Sequence, residues 1–108
     1  MDRLTAHVEG TRLLKLAKSE KLKGFRLVVW ENMGWHYKLM RKHCSIHQDD
    51  RTGKYDAYMS HDGIGAYAAW CCHKSYATPR KAYEAALAKA HLDIHQQQMI
   101  VSELEKAL

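Results

Sequence analysis

Proline is almost missing from this 108-residue chain, where Pro79 is the single copy, and phenylalanine occurs only at Phe25. No proline-rich or glycine–serine tract interrupts it, so nothing marks a linker, and no segment repeats. Long apolar runs are missing as well. No window approaches the ~18 apolar residues that a membrane span needs. The opening Met1-Asp2-Arg3-Leu4-Thr5 has no apolar core of signal-peptide length. The expectation is a cytoplasmic protein. Three cysteines cannot all pair with one another, and an odd number reads as free thiols in a reducing compartment. Acids are scarce too: 12 Asp and Glu stand against 17 Lys and Arg, for a formal charge of +5.

What is present fits one folded domain over residues 1–108. Hydrophobic residues make up 46% and charged residues 27%, which suits a globular chain and not a disordered one. The charge is clustered. Arg12, Lys15, Lys18, Lys21, Lys23 and Arg26 face only one acid, Glu20, in the same stretch. Such a surface attracts nucleic acid, anionic lipid or an acidic protein.

Periodicity predicts an α+β fold: an N-terminal helix, a three- to four-stranded antiparallel sheet, and a long, broken C-terminal helix packed on it. Residues 2–23 read as the first helix, with Leu4, Val8, Leu13, Leu14, Leu16 and Ala17 as its apolar stripe, Gly10 as a weak point and Gly24 as its C-cap. Phe25–Glu31 reads as a strand rich in β-branched and aromatic residues. Trp35–His47 reads as one long second strand whose alternation slips near Arg41, as a bulge would make it do. Residues 55–59 give a third strand and 66–73 a fourth, apolar on both faces and therefore expected inside the sheet. Residues 61–65 form a glycine-marked turn between them. Thr78-Pro79 opens the last helix. Asp93 and Gln96 look like a second cap, which places a bend near 91–93. Leu104 and Leu108, with Met99 and Ile100, then belong to a segment that folds back or pairs with a second copy.

Chemistry is hard to find. His43, Cys44, His47, Cys71, Cys72 and His73 are metal-ligand types, but no Cys-x-x-Cys occurs, and neighbours on a strand point to opposite faces. His91 and His95 stand one helical turn apart without an adjacent glutamate. There is no Gly-x-Ser-x-Gly, phosphate loop or dinucleotide fingerprint. The expectation is a non-enzymatic protein with no metal and no cofactor.

The helix-opening run Thr78-Pro79-Arg80-Lys81-Ala82-Tyr83-Glu84-Ala85-Ala86-Leu87-Ala88-Lys89-Ala90 resembles the basic, alanine-rich second helix of double-stranded-RNA-binding domains, and also the helix of phage-integrase arm-binding domains. The resemblance covers thirteen residues. It implies nucleic-acid contact through Arg80 and Lys81, although Ala82 stands where the RNA-binding pattern has another lysine. In its small size and its histidine and tryptophan usage the whole chain also resembles accessory proteins of phages and prophages, many of which block a host machine as anti-CRISPR proteins do.

Two functional expectations follow. The first is a binding protein that inhibits or adapts a host protein or nucleoprotein machine, with Trp35, Tyr37, Met99, Ile100, Leu104 and Leu108 at protein interfaces and a homodimer through 92–108 as a corollary. The second is a sequence-tolerant DNA- or RNA-binding module. Its cations would be Arg12, Lys15, Lys18, Lys21, Lys23, Arg26, Lys38, Arg41, Lys42, Arg80 and Lys81, with nearby aromatics to stack on bases.

Overall fold

The first helix, α1, runs over Arg3–Ser19 because both of its ends are capped by local chemistry. At the start, the Thr5 N–H donates to Asp2 Oδ1 at 2.7 Å, which satisfies one of the orphan donors of the first turn. At the end, Lys21 adopts the left-handed conformation at φ 64°. The Leu22 N–H then reaches Ala17 O and the Lys21 N–H reaches Lys18 O, both at 3.0 Å. This Schellman closure buries Leu22 and stops the helix four residues before the expected 23. Gly24, at φ 81°, serves the next turn instead of the cap.

The computed structural model describes residues 1–59, 70–71, 75–92 and 98–108. After α1 come β1 (Arg26–Glu31), β2 (Trp35–Arg41), β3 (Cys44–Gln48), β4 (Tyr55–Met59), the two-residue β5 (Trp70–Cys71), α2 (Pro79–Leu92) and α3 (Gln98–Glu105). The strands lie in sequence order, each antiparallel to the next. The expected strand 66–73 is described only at β5, which stands at the end of the sheet order and not inside it. The turn 61–65, Cys72, His73, Asp93, His95 and Gln96 lie outside the described residues, as do the side chains of Cys71, His91, Met99 and Ile100.

The expected long second strand is two strands. Arg41 pairs with Cys44 across a two-residue turn, Lys42–His43, with His43 at φ 70°. The slip in alternation near Arg41 marks a reversal and not a bulge. A two-residue loop returns the chain with Cys44 and Ile46 on the same face as Tyr37 and Leu39. Leu27, Leu39, Ile46 and Ala57 then stand in register across four strands. The last three are fully buried. The helices cover this face, α1 over β1 and β2, and α2 over β4 and β3.

The C-terminal part does not form a long helix. The 14 residues of α2 span about 21 Å at 1.5 Å each, and α3 is a separate eight-residue helix. Its packing within the chain is specific. The Tyr83 hydroxyl donates to Leu104 O at 2.8 Å, the Lys23 N–H donates to Ala107 O at 2.9 Å, and Leu104 and Ala107 are fully buried. Among the described residues, no helix is long and apolar enough to cross a membrane.

Gly10 sets how closely α1 approaches the sheet. A Cβ there would strike the Leu27 methyls and lie 3.2 Å from Tyr37 Cβ. The glycine expected to weaken the helix is the point where its backbone meets β1 and β2. Helix propensity favours Gly10→Ala by about 1 kcal/mol, yet the clash in a packed interior costs roughly 1–3 kcal/mol. Chemical denaturation of Gly10→Ala is expected to show a net loss of stability, and a stabilised variant would contradict this packing role.

Candidate protein-docking surface

The eleven cations expected to form one binding surface separate into groups once the fold is in place. Two are structural. The Arg80 N–H donates to Glu20 Oε1 at 3.1 Å, and Arg80 Nη1 donates to Glu20 O at 2.7 Å. Its Nε also stands 3.9 Å from Glu84 Oε2. The start of α2 is thus met by a carboxylate of the chain itself, and Arg80 in return caps the end of α1. The phosphate-binding role implied for Arg80 does not fit this arrangement. Lys81 remains exposed, its N–H donating to Thr78 Oγ1 at 3.1 Å in the expected cap.

Arg41 is the second structural cation. Its side chain is 9% exposed and its Nη2 donates to Glu103 Oε1 at 3.1 Å, while Nε and Nη1 are buried without a hydrogen-bond partner. Burial alone would raise the Glu103 carboxyl. The hydrogen bond and charge of Lys106, with the charges of Arg41 and Lys42, outweigh that and hold it below its ordinary value. Lys38 projects from the face opposite the helices, where its Nζ sits 4.9 Å from the Trp30 ring centroid. Trp30 in turn stacks on His36 at 5.3 Å.

The remaining cations, Arg12, Lys15, Lys18, Lys21, Lys23, Arg26 and Lys42, are exposed. Arg12 Nη1 is 3.4 Å from Glu9 Oε2, a weak surface pair. Lys18, Lys21 and Lys23 rim a recess of about 520 Å³ whose apolar wall includes Leu14, Leu22, Phe25 and Leu108. Of the two expected C-terminal interface residues whose side chains are described, Leu108 is exposed, at 38%. Leu104, expected at an interface, is fully buried in the chain's own core.

A second recess, of about 470 Å³, lies beside the first half of α1. Arg3, Leu4, His7, Val29 and Trp35 line it. Trp35 is half-buried there, with the Arg3 guanidinium 5.4 Å from its ring centroid. Leu4 and Val8 were expected in the buried stripe. That stripe is Ala6, Gly10, Leu13 and Ala17, and Leu4 and Val8 are 72% and 47% exposed. The offset of Leu4 from the buried positions is the signal that could have found this recess. Tyr37, another expected interface residue, is buried, and its hydroxyl donates to Gln48 Oε1 at 3.2 Å. Burial, with Asp50 and Glu9 nearby, pushes its pKa up to about 12.

Cys44 and His47 occupy opposite faces of β3. Cys44 is fully buried under the helices, and burial pushes its thiol up to about 12, so it stays protonated. His47 lies on the other face, its Nε2 3.1 Å from Ser45 Oγ and its ring edge-on to Tyr58 at 4.9 Å. Burial, with the charge of Lys38, lowers its pKa to about 4. Among the described residues, no group of three His, Cys, Asp or Glu side chains is placed to hold a metal ion.

Compared with family models, curated proteins and solved structures, the chain matches none.

Two measurements test these placements. Glu103→Ala takes the carboxylate away from the buried Arg41 guanidinium and is expected to lower the denaturation midpoint more than Arg41→Met, which keeps the volume without the charge. Equal losses would show that the ion pair is not what holds α3. His47 is neutral in the fold and takes a proton in the unfolded chain near pH 6.5, so its contribution is full above 6.5 and is lost as pH falls toward 4. The size is about 3 kcal/mol for a shift of this extent. The unfolding free energy of the wild type relative to His47→Gln should therefore fall between pH 7 and pH 4.5, and a constant difference would reject the burial of His47 as its cause.

Proposed function

We propose that the chain is a small non-enzymatic binding protein whose basic face docks on an acidic surface of a partner protein or nucleoprotein machine, which it inhibits or adapts. The observation that carries this reading is the lysine-rimmed recess. Lys18, Lys21 and Lys23 stand over an apolar wall that includes Leu14, Leu22 and Phe25. An apolar anchor ringed by charge is how a protein interface divides its work, with buried contacts giving affinity and rim charges giving attraction and register. The role of phage accessory or anti-CRISPR-like protein belongs to this proposal, and rests on size and composition alone.

A second reading, nucleic-acid binding, is favoured by Arg12, Lys15 and Lys18 exposed on α1. Duplex recognition through the backbone needs no aromatics. Base stacking does, and Trp30, stacked on His36, is on the face away from the helices.

Nuclease-treated extract of the source cell separates the two. The full chain and a Lys18→Glu/Lys21→Glu variant serve as baits, and captured proteins are purified and tested for direct binding. The expected result is a purified acidic partner that binds the wild type at least tenfold more tightly than the variant. The alternative result is no protein partner, with a random duplex bound in low salt and affinity falling steeply as salt rises. That outcome replaces the first reading with the second.

A further inference from the structure

The two recesses share a feature that neither shows alone: both open on the helix-covered side of β1, one at each end of it. Phe25 and the residues before it line the lysine-rimmed recess, and β1 begins at Arg26. Val29 lines the other recess together with Trp35, the cross-strand partner of Glu31. Phe25 and Val29 are four positions apart, a span of about 13 Å along a strand.

Between the recesses lies an unpaired sheet edge. β1 ends the strand order, and among the described residues no strand pairs its outer side. The hydrogen bonds at the β1–β2 turn show which residues face that side. The Asn32 N–H donates to Gly34 O at 2.8 Å, and the Trp35 N–H turns away from Glu31 to Met1 O at 2.9 Å. Glu31–Trp35 is therefore a wide pair, and with the alternation of an antiparallel ladder so are Val29–Tyr37 and Leu27–Leu39. The backbone N–H and C=O groups of Leu27, Val29 and Glu31 point outward. Charges stand only at its two ends, Arg26 and Glu31; between them run four consecutive apolar residues, Leu27 to Trp30, with no proline and no bulge.

Building on the docking reading above, we propose that β1 receives an extended acidic segment of a partner protein as an added strand. Alternate side chains of that segment point to the helix side, beside Leu27 and Val29, and two apolar residues four apart enter the two recesses. Carboxylates elsewhere on the segment meet Lys18, Lys21, Lys23 and Arg26 at one end and Arg3 at the other. Backbone pairing supplies affinity and the recesses supply selectivity, as in other strand-addition complexes. Charge points to an acidic occupant: Lys18, Lys21 and Lys23 stand at one recess and Arg3 at the other.

The probe is a synthetic nine-residue peptide with leucines four apart, at its third and seventh positions, and glutamates at its first and last, so that leucines and glutamates share the helix-side face; it is titrated against the full chain by fluorescence anisotropy and followed by amide hydrogen exchange. Expected are saturable binding, slowed exchange at Leu27, Val29 and Glu31, and at least tenfold weaker binding by Lys18→Glu/Lys21→Glu and by the same peptide N-methylated at alternate residues. Binding without slowed exchange at those three amides, or equal binding of a version with lysine for glutamate, overturns the proposal. Sedimentation that shows a dimer broken by Val29→Pro overturns it in favour of self-pairing. Failure of the peptide, together with a captured acidic partner that still needs Lys18 and Lys21, rejects strand addition while the docking reading stands.

Discussion

The contact between Gly10 and the Leu27–Tyr37 pair governs how the rest of the molecule is arranged. A helix normally rests on a sheet through side chains; here one point of α1 rests through its backbone. That approach is stable only because Ala6, Gly10, Leu13 and Ala17 present a narrow, mostly small stripe, so close packing continues along the helix. A narrow buried stripe leaves most of α1 uncovered. Leu4, Val8, Lys15 and Lys18 are exposed for that reason, and Leu14 ends up on the wall of a recess rather than in the core. The two recesses beside α1 are thus a by-product of the way the core is closed.

Much of this fold was legible in the sequence. Alternation located the strands at 26–31 and 55–59, and Thr78-Pro79 located the start of α2. The misreadings share a cause: local pattern cannot see what a residue meets from far along the chain. Gly10 looks like a defect until Leu27 and Tyr37 are opposite it. Lys21 looks like one more helical lysine until the burial of Leu22 repays its left-handed turn. The irregularity at Arg41 fits a bulge and a hairpin equally, and only the facing row of Leu39 and Ile46 distinguishes them.

The candidate surface was legible as charge but not as shape. Counting lysines and arginines located the stretch from Arg12 to Arg26. It could not show that Arg41 is buried against Glu103, 62 residues away, or that Arg80 is engaged with Glu20, 60 residues away. A long-range carboxylate removes a cation from the surface without leaving any mark on its neighbours in sequence. The apolar walls were missed for the opposite reason: Leu14, Leu22 and Phe25 look like ordinary core residues, and only the turn after α1 brings them to the edge.

The ties made by the C-terminal segment also set the order in which the molecule can be assembled. Ala107 accepts from Lys23, Leu104 from Tyr83, and Glu103 pairs with Arg41. Contacts between such distant positions form only after a large loop has closed, so they come late in folding. During synthesis α1 and the first three strands leave the ribosome well before α3 does. Until α3 arrives, the Arg41 guanidinium lacks its carboxylate and Leu108 is not in place to line the lysine-rimmed recess. A nascent chain therefore displays its lysines before it has the finished recess, and the recess is a property of the completed fold.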